Sequence, residues 1–160
     1  MDFIVDAHYL TFKNAIFDGV SIQAVLDHVV DPSLVVTEIH RVLRPDGIVY
    51  SETPFIQQVH EGAHDFQRNT ALGYRYLFSI FDVMKIGGNG GWAGLVLAWS
   101  LRYFFWTIFR NKSIAILLSA SLYPILKFFN RFTAERAMFD SSSGVYFLGK
   151  REMQKLGIQI

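Results

Sequence analysis

Apolar and polar positions alternate between two rhythms along the chain. Phe3–Val5 is a short apolar run ending at Asp6, the pattern of the end of a buried strand. Phe17–Leu26 is apolar and continuous enough for a central parallel strand. Asp31-Pro32 then starts a helix, with Asp31 as N-cap and Pro32 in the first turn. Leu34, Val35, Ile39, Val42 and Leu43 recur at helical spacing, and Pro45-Asp46-Gly47 is a turn that stops the helix. Ile48–Thr53 reads as the next strand, which makes a strand–helix–strand crossover with short joints.

Further on, Asn69-Thr70 is placed to cap a helix running through Phe81, with Leu72, Tyr76, Leu77 and Ile80 on one face. Asp82–Ile86 is a candidate strand and Gly87–Gly91 a glycine-rich break. Trp92–Phe109 and Ile114–Phe129 predict two apolar helices joined by Arg110-Asn111-Lys112. Ser141-Ser142-Ser143-Gly144 predicts a turn, Val145–Gly149 a last short strand, and Lys150–Ile160 a polar tail of weak helical character. There is no internal repeat.

Composition sharpens the division. The 160 residues suffice for one domain with a core, and 51% are hydrophobic. The mean hydropathy of +0.25 is high for a soluble domain. Cysteine is absent, which excludes disulfides, thiolate metal sites and cysteine nucleophiles. The net charge of +1 conceals an asymmetry: residues 1–82 carry eleven acids against five Lys/Arg, whereas residues 83–134 carry six Lys/Arg and no acid. Met1-Asp2-Phe3-Ile4 has no basic n-region, so no secretory signal is expected.

Five blocks carry a family pattern: Asp6-Ala7-His8; Ile16-Phe17-Asp18-Gly19-Val20; Ala24-Val25-Leu26-Asp27-His28-Val29; Glu38-Ile39-His40-Arg41-Val42-Leu43-Arg44-Pro45-Asp46-Gly47; and Glu52-Thr53-Pro54-Phe55. In this order and spacing the chain resembles the middle of a class I S-adenosylmethionine-dependent methyltransferase of the type 11 kind. The resemblance covers residues 3–86, and Gly144–Arg151 as a final strand, but not 92–132. It implies an α/β fold: a partial Rossmann-like methyltransferase sheet, from the family's third strand onward, with a hydrophobic helical insertion before the last strand. The expected parts are 1–86 (C-terminal part of the core), 87–134 (insertion) and 135–160 (final strand and tail).

The resemblance implies S-adenosylmethionine as cofactor. Asp6 and Ala7 would lie beside its adenine, and the Ala24–His28 segment, with Ala24 and His28 as cofactor contacts, at the carboxyl edge of the sheet. The family's glycine-rich loop and its ribose-binding acid do not precede Asp6, so an N-terminally truncated fragment, a late-start gene model or a degenerate copy is expected. The run Gly88-Asn89-Gly90-Gly91-Trp92-Ala93 formally fits G-x-G-x-x-A, but the next acid after Asp82 is Glu135, too distant to bind a ribose.

Methyl transfer needs alignment more than covalent chemistry, and a hydroxyl acceptor also calls for a base. The segment after Ile48–Thr53 offers His60 as base, Asp65 as its orienter and Arg68 as an anion-binding group; each also reads as a polar loop residue or cap. His8 and His40 read as surface positions. No histidine spacing matches a metal site, so no metal is expected. In the insertion, Trp92, Trp99 and Trp106 recur every seven residues and share a helix face. Arg102 and Pro124 argue against simple membrane spans, so an amphipathic or re-entrant pair at an anionic lipid surface fits better, with packing on the domain's own sheet as the alternative. Nucleic acid is not expected. The expected function is methyl transfer to a small-molecule, lipid-linked or glycan-type acceptor, peripheral at the cytoplasmic membrane face. The alternative is a non-catalytic membrane-peripheral protein derived from this fold.

Overall fold

The structure, a computed structural model, describes residues 3–59, 62–89, 93–132 and 139–152. Strand β1 (Phe17–Gln23) leads through helix α1 (Pro32–Val42) to strand β2 (Leu43–Pro54). Helix α2 (Ala71–Leu77) and strand β3 (Asp82–Asn89) follow, then helices α3 (Ala93–Phe109) and α4 (Lys112–Phe129), and last strand β4 (Gly144–Lys150). The sheet order is β1-β2-β4-β3: β1 and β2 run parallel, and β4 is inserted antiparallel between β2 and β3.

Local chemistry explains most boundaries. The Asp31 carboxylate accepts from Leu34 N at 3.1 Å and caps α1 as expected. Thr70 caps α2 by accepting from Gly73 N at 3.1 Å. The Pro45-Asp46-Gly47 turn sits within the β2 span rather than before it. The ladder pairs Phe17 with Leu43, slips, and resumes at Gly19–Ile48, so the turn is carried as an irregularity in β2. Asp46 holds it with φ of 66°, a left-handed conformation that costs a residue with a Cβ. Its carboxylate pairs with Lys150 at 2.6 Å.

The core lies where α1 and α2 meet the sheet. Val35, Val36 and Ile39 of α1 pack with Val49 of β2, Val145 and Phe147 of β4, and Tyr74, Phe78 and Phe81 on and after α2. Phe78 stacks on Phe147 with ring centres 4.6 Å apart. The Tyr74 hydroxyl bonds the buried Ser51 hydroxyl, and burial pushes the phenol upward in pKa while that bond pulls it down.

Three expectations fail. Phe3–Val5 forms no strand and is exposed; no neighbouring strand among the described residues offers it a ladder. Among the described residues β1 lies at the edge of the sheet rather than at its centre. The α2 helix stops at Leu77, and it buries Tyr74 and Phe78 rather than Leu72 and Tyr76, which are 78% and 82% exposed. Both sets are apolar at helical spacing, and only the position of the sheet decides between them.

Helices α3 and α4 pack chiefly on each other. Gly94 permits their close approach: a Cβ there would lie 2.6 Å from the Leu126 carbonyl oxygen. The Asn130 side-chain oxygen accepts from Gly94 N at 2.8 Å and ties the ends of the hairpin together. Pro124 does not end α4. With the following 3-10 turn the segment Lys112–Phe132 is long and apolar enough, at 21 residues, to cross a membrane by length and composition.

Candidate active site

Open parallel sheets bind ligands beyond the carboxyl ends of their strands. The pairing of β1 with β2 ends at Gln23–Glu52. There the chain turns at Ala24, whose φ of 49° is left-handed and whose N–H donates to Glu52 O at 3.0 Å. A cavity of about 230 Å³ opens at this edge, and Ala24, Glu52, Gln57, Asn89 and Ser143 are among its lining residues.

Its wall is a connected polar chain. The Glu52 carboxylate accepts from Tyr50 Oη at 2.7 Å and from Asn89 Nδ2. Burial, reinforced by Glu52, pushes the Tyr50 phenol up to about 12, so it stays a donor near neutral pH. Ser143 Oγ donates to Asn89 O at 3.3 Å, and Gln57 Nε2 donates to Ser143 O at 2.9 Å. Strands β2 and β3 and the turn before β4 thus jointly fix one carboxylate at the cavity. The volume lies below the 300–1,000 Å³ usual for a whole small ligand and suits one end of an acceptor.

Thr53 Oγ1 donates to Asp27 Oδ1 at 3.3 Å, which leads from the cavity strand to a second cluster. Asp27 is fully buried. The Arg68 guanidinium pairs bidentately with Asp65 and stands 4.0 Å from Asp27 Oδ2. Arg68, offered by sequence to an external anion, therefore balances two internal carboxylates. His28 Nδ1 donates to His64 O at 2.9 Å while Nε2 lies 3.3 Å from Asp27 Oδ2. Asp27, His28 and Asp65 present ligand atoms within 4.8 Å of one another, a metal-like grouping invisible in their sequence spacing. Arg68 already supplies positive charge beside it. Asp65 thus serves Arg68, and His60, its expected partner, lies outside the described residues.

Asp6 and Ala7 form a separate turn, in which Tyr9 N donates to Asp6 O at 3.1 Å. Asp6 Oδ1 accepts from His8 N at 2.9 Å and from His8 Nδ1 at 2.8 Å, and these bonds hold its carboxyl below the usual carboxylate range. His8 Nε2 in turn accepts from Asp31 N at 3.4 Å, fastening this turn to the start of α1. His8 is therefore a half-buried tie rather than a surface residue. His40 likewise packs edge-on against Phe81 at 5.1 Å, and its burial lowers its pKa. Ala7 packs against the core.

The methyltransferase-domain family model matches residues 3–51. Among solved structures, the [4+2]-cyclase SpnF superposes with a TM-score of 0.54 at 14% identity, covering 93% of this chain and 54% of its own. A Haloferax volcanii methyltransferase solved with the Trm112 activator gives 0.58 at 16%, covering 94% and 61%. Phosphoethanolamine N-methyltransferase 2 of Haemonchus contortus, solved with S-adenosyl-L-methionine, gives 0.54 at 13%, covering 92% and 36%. The chain has a class I methyltransferase fold. It spans little more than half the length of several solved chains it resembles, 54%, 61% and 58% of three of them. No curated protein sequence matches it.

The Asp6 carboxylate stays exposed to solvent. The glycine-rich loop and ribose acid of the family pattern are not among the described residues. Of the residues expected from the sequence, Ala24 lines the cavity and His28 lies instead beside Asp27 in the second cluster, while Glu52 and Asn89 were not anticipated as cavity residues. The signal for Glu52 was its position at the end of a strand that alternates buried Ser51 and Thr53 with half-exposed Tyr50 and Glu52.

Proposed function

We propose that this fold serves S-adenosylmethionine-dependent methyl transfer to a small or lipid-linked acceptor, with the Ala24–Glu52–Asn89 cavity receiving the acceptor. The observation carrying this reading is the carboxyl-edge cavity with Glu52 fixed by two donors, in a chain whose first third matches the methyltransferase domain. When bound, S-adenosylmethionine supplies the activated methyl group. Asp6 and Ala7 would hold its adenine, and Ala24 the edge beside it. Glu52 would orient an acceptor N–H or O–H, or take its proton. Asp27, Asp65 and Arg68 would keep the loop carrying His28 and His64 in place.

Residues 87–134 form, in this reading, an insertion that rests on an anionic membrane at its cytoplasmic face. Support comes from the exposed Phe104, Ile108, Leu117 and Phe128 and from the absence of acids across residues 83–134. Calorimetry with S-adenosylmethionine on the 160-residue chain tests the catalytic part. Binding that Asp6→Ala weakens about tenfold is expected for the loss of a charge-assisted contact. Binding only by a chain extended upstream would mark these 160 residues as part of a working methyltransferase, and binding by neither would favour the non-catalytic, membrane-peripheral alternative.

A further inference from the structure

A second cavity, also about 230 Å³, lies between α3 and α4, with Trp99, Arg102, Ile116, Ser119 and Tyr123 among its lining residues. Arg102 Nε is buried there without a hydrogen-bond partner among the described residues. The guanidinium has the Tyr103 ring 5.7 Å away, but a ring face accepts no directed hydrogen bond in a carboxylate's place. A buried donor left unmet costs free energy until an acceptor arrives, and no residue from 83 to 134 is an acid. Any charged partner for Arg102 therefore comes from outside residues 83–134.

We infer that this cavity binds the phosphate of an anionic phospholipid through Arg102, a reading that rests on the membrane contact proposed above. The hairpin's outward faces explain why the anion should carry acyl chains. Leu97, Phe104 and Ile108 on α3 and Leu117, Ile125 and Phe128 on α4 are each 47% exposed or more. A lipid satisfies the guanidinium with its headgroup and those side chains with its tails. A second hairpin docked on the first would bring only more positive charge.

The test uses the full 160-residue chain carrying Trp92→Phe and Trp106→Phe, so that Trp99 in the cavity wall is the sole tryptophan. Its emission is titrated with short-chain phosphatidylglycerol below micelle formation, with short-chain phosphatidylcholine, and with inorganic phosphate. Saturable binding of phosphatidylglycerol over phosphatidylcholine is expected. Arg102→Gln should weaken it about tenfold, and Lys112→Gln, at the exposed start of α4, should leave it unchanged. If circular dichroism shows Arg102→Gln unfolded, Arg102→Lys carries the test, because it keeps the charge and loses the Nε donor. Equal binding of both lipids, or loss in Lys112→Gln but not at Arg102, overturns the site. Inorganic phosphate binding as tightly as phosphatidylglycerol reduces it to a simple anion site and overturns the lipid assignment. Dimerisation through the hairpin, seen by light scattering and insensitive to lipid, overturns it in favour of a second copy. Flotation with phosphatidylglycerol vesicles is read separately: no flotation defeats the membrane reading, while the titration still decides the headgroup site.

Discussion

The two halves of this molecule use the same aromatic and aliphatic residues to opposite ends. In the sheet half Tyr74, Phe78 and Phe147 are fully buried, with Phe78 stacked on Phe147 and meeting Tyr74 edge-on. In the hairpin Phe104, Phe128 and Phe129 are 58%, 53% and 60% exposed. Helical periodicity is present in both. Periodicity identifies an element, and the surrounding architecture determines whether an apolar side chain becomes core or surface.

This contrast can be broken most sharply in the sheet half. Arg68→Gln leaves Asp27 and Asp65 without their shared cation and should cost about 3–5 kcal/mol, read as a fall in the denaturation midpoint. Phe78→Ala should cost a similar ~3–5 kcal/mol by opening a cavity against Phe147 and Tyr74. In the hairpin, Gly94→Ala should cost about 1–3 kcal/mol by forcing α3 off the Leu126 carbonyl; a calorimetric transition unaltered by it would mean the hairpin does not unfold with the sheet. Asp46→Gly should stabilise by about 0.4–1 kcal/mol, because glycine tolerates the left-handed turn, provided loss of the Lys150 pair is minor. At the small end, Phe104→Ser should change stability by about 0.5 kcal/mol or less, in contrast to Phe78→Ala.

A pH experiment sharpens the same comparison. Burial, with Arg151 nearby, lowers the His40 pKa below its ordinary 6.5 in the fold. The unfolded chain therefore takes up the proton first. The stabilising contribution is complete above about pH 6.5 and is lost as pH falls through the lower folded value. His40→Leu should remove that part of the acid sensitivity, measured as the pH dependence of the urea midpoint, whereas Phe104→Ser should leave it intact.

What was legible in the sequence was local. Asp31-Pro32 and Thr70 announce helix starts because the capping bond spans only three residues. The apolar runs announce both hairpin helices and the last strand. What was not legible depends on distant segments. Tyr74 and Phe78 win burial over Leu72 and Tyr76 because β4 places Phe147 opposite them. Asp65 meets Asp27 and Arg68 only because the loop after β1 and the segment before α2 converge at one sheet edge. Glu52 becomes a site residue through Asn89, on a strand the sequence divided between a strand end and a glycine-rich break.

The position of β4 also sets the order in which the protein can take shape during synthesis. Among the described residues β3 pairs only with β4, which is made after the hairpin. The ribosome must therefore deliver α3 and α4, with their exposed apolar rows, before the sheet can close. Nascent chains fold from the amino end as they emerge. Here an exposed apolar segment appears while its neighbouring strand is still unpaired, so whatever covers the hairpin is best placed to reach it before β4 is made.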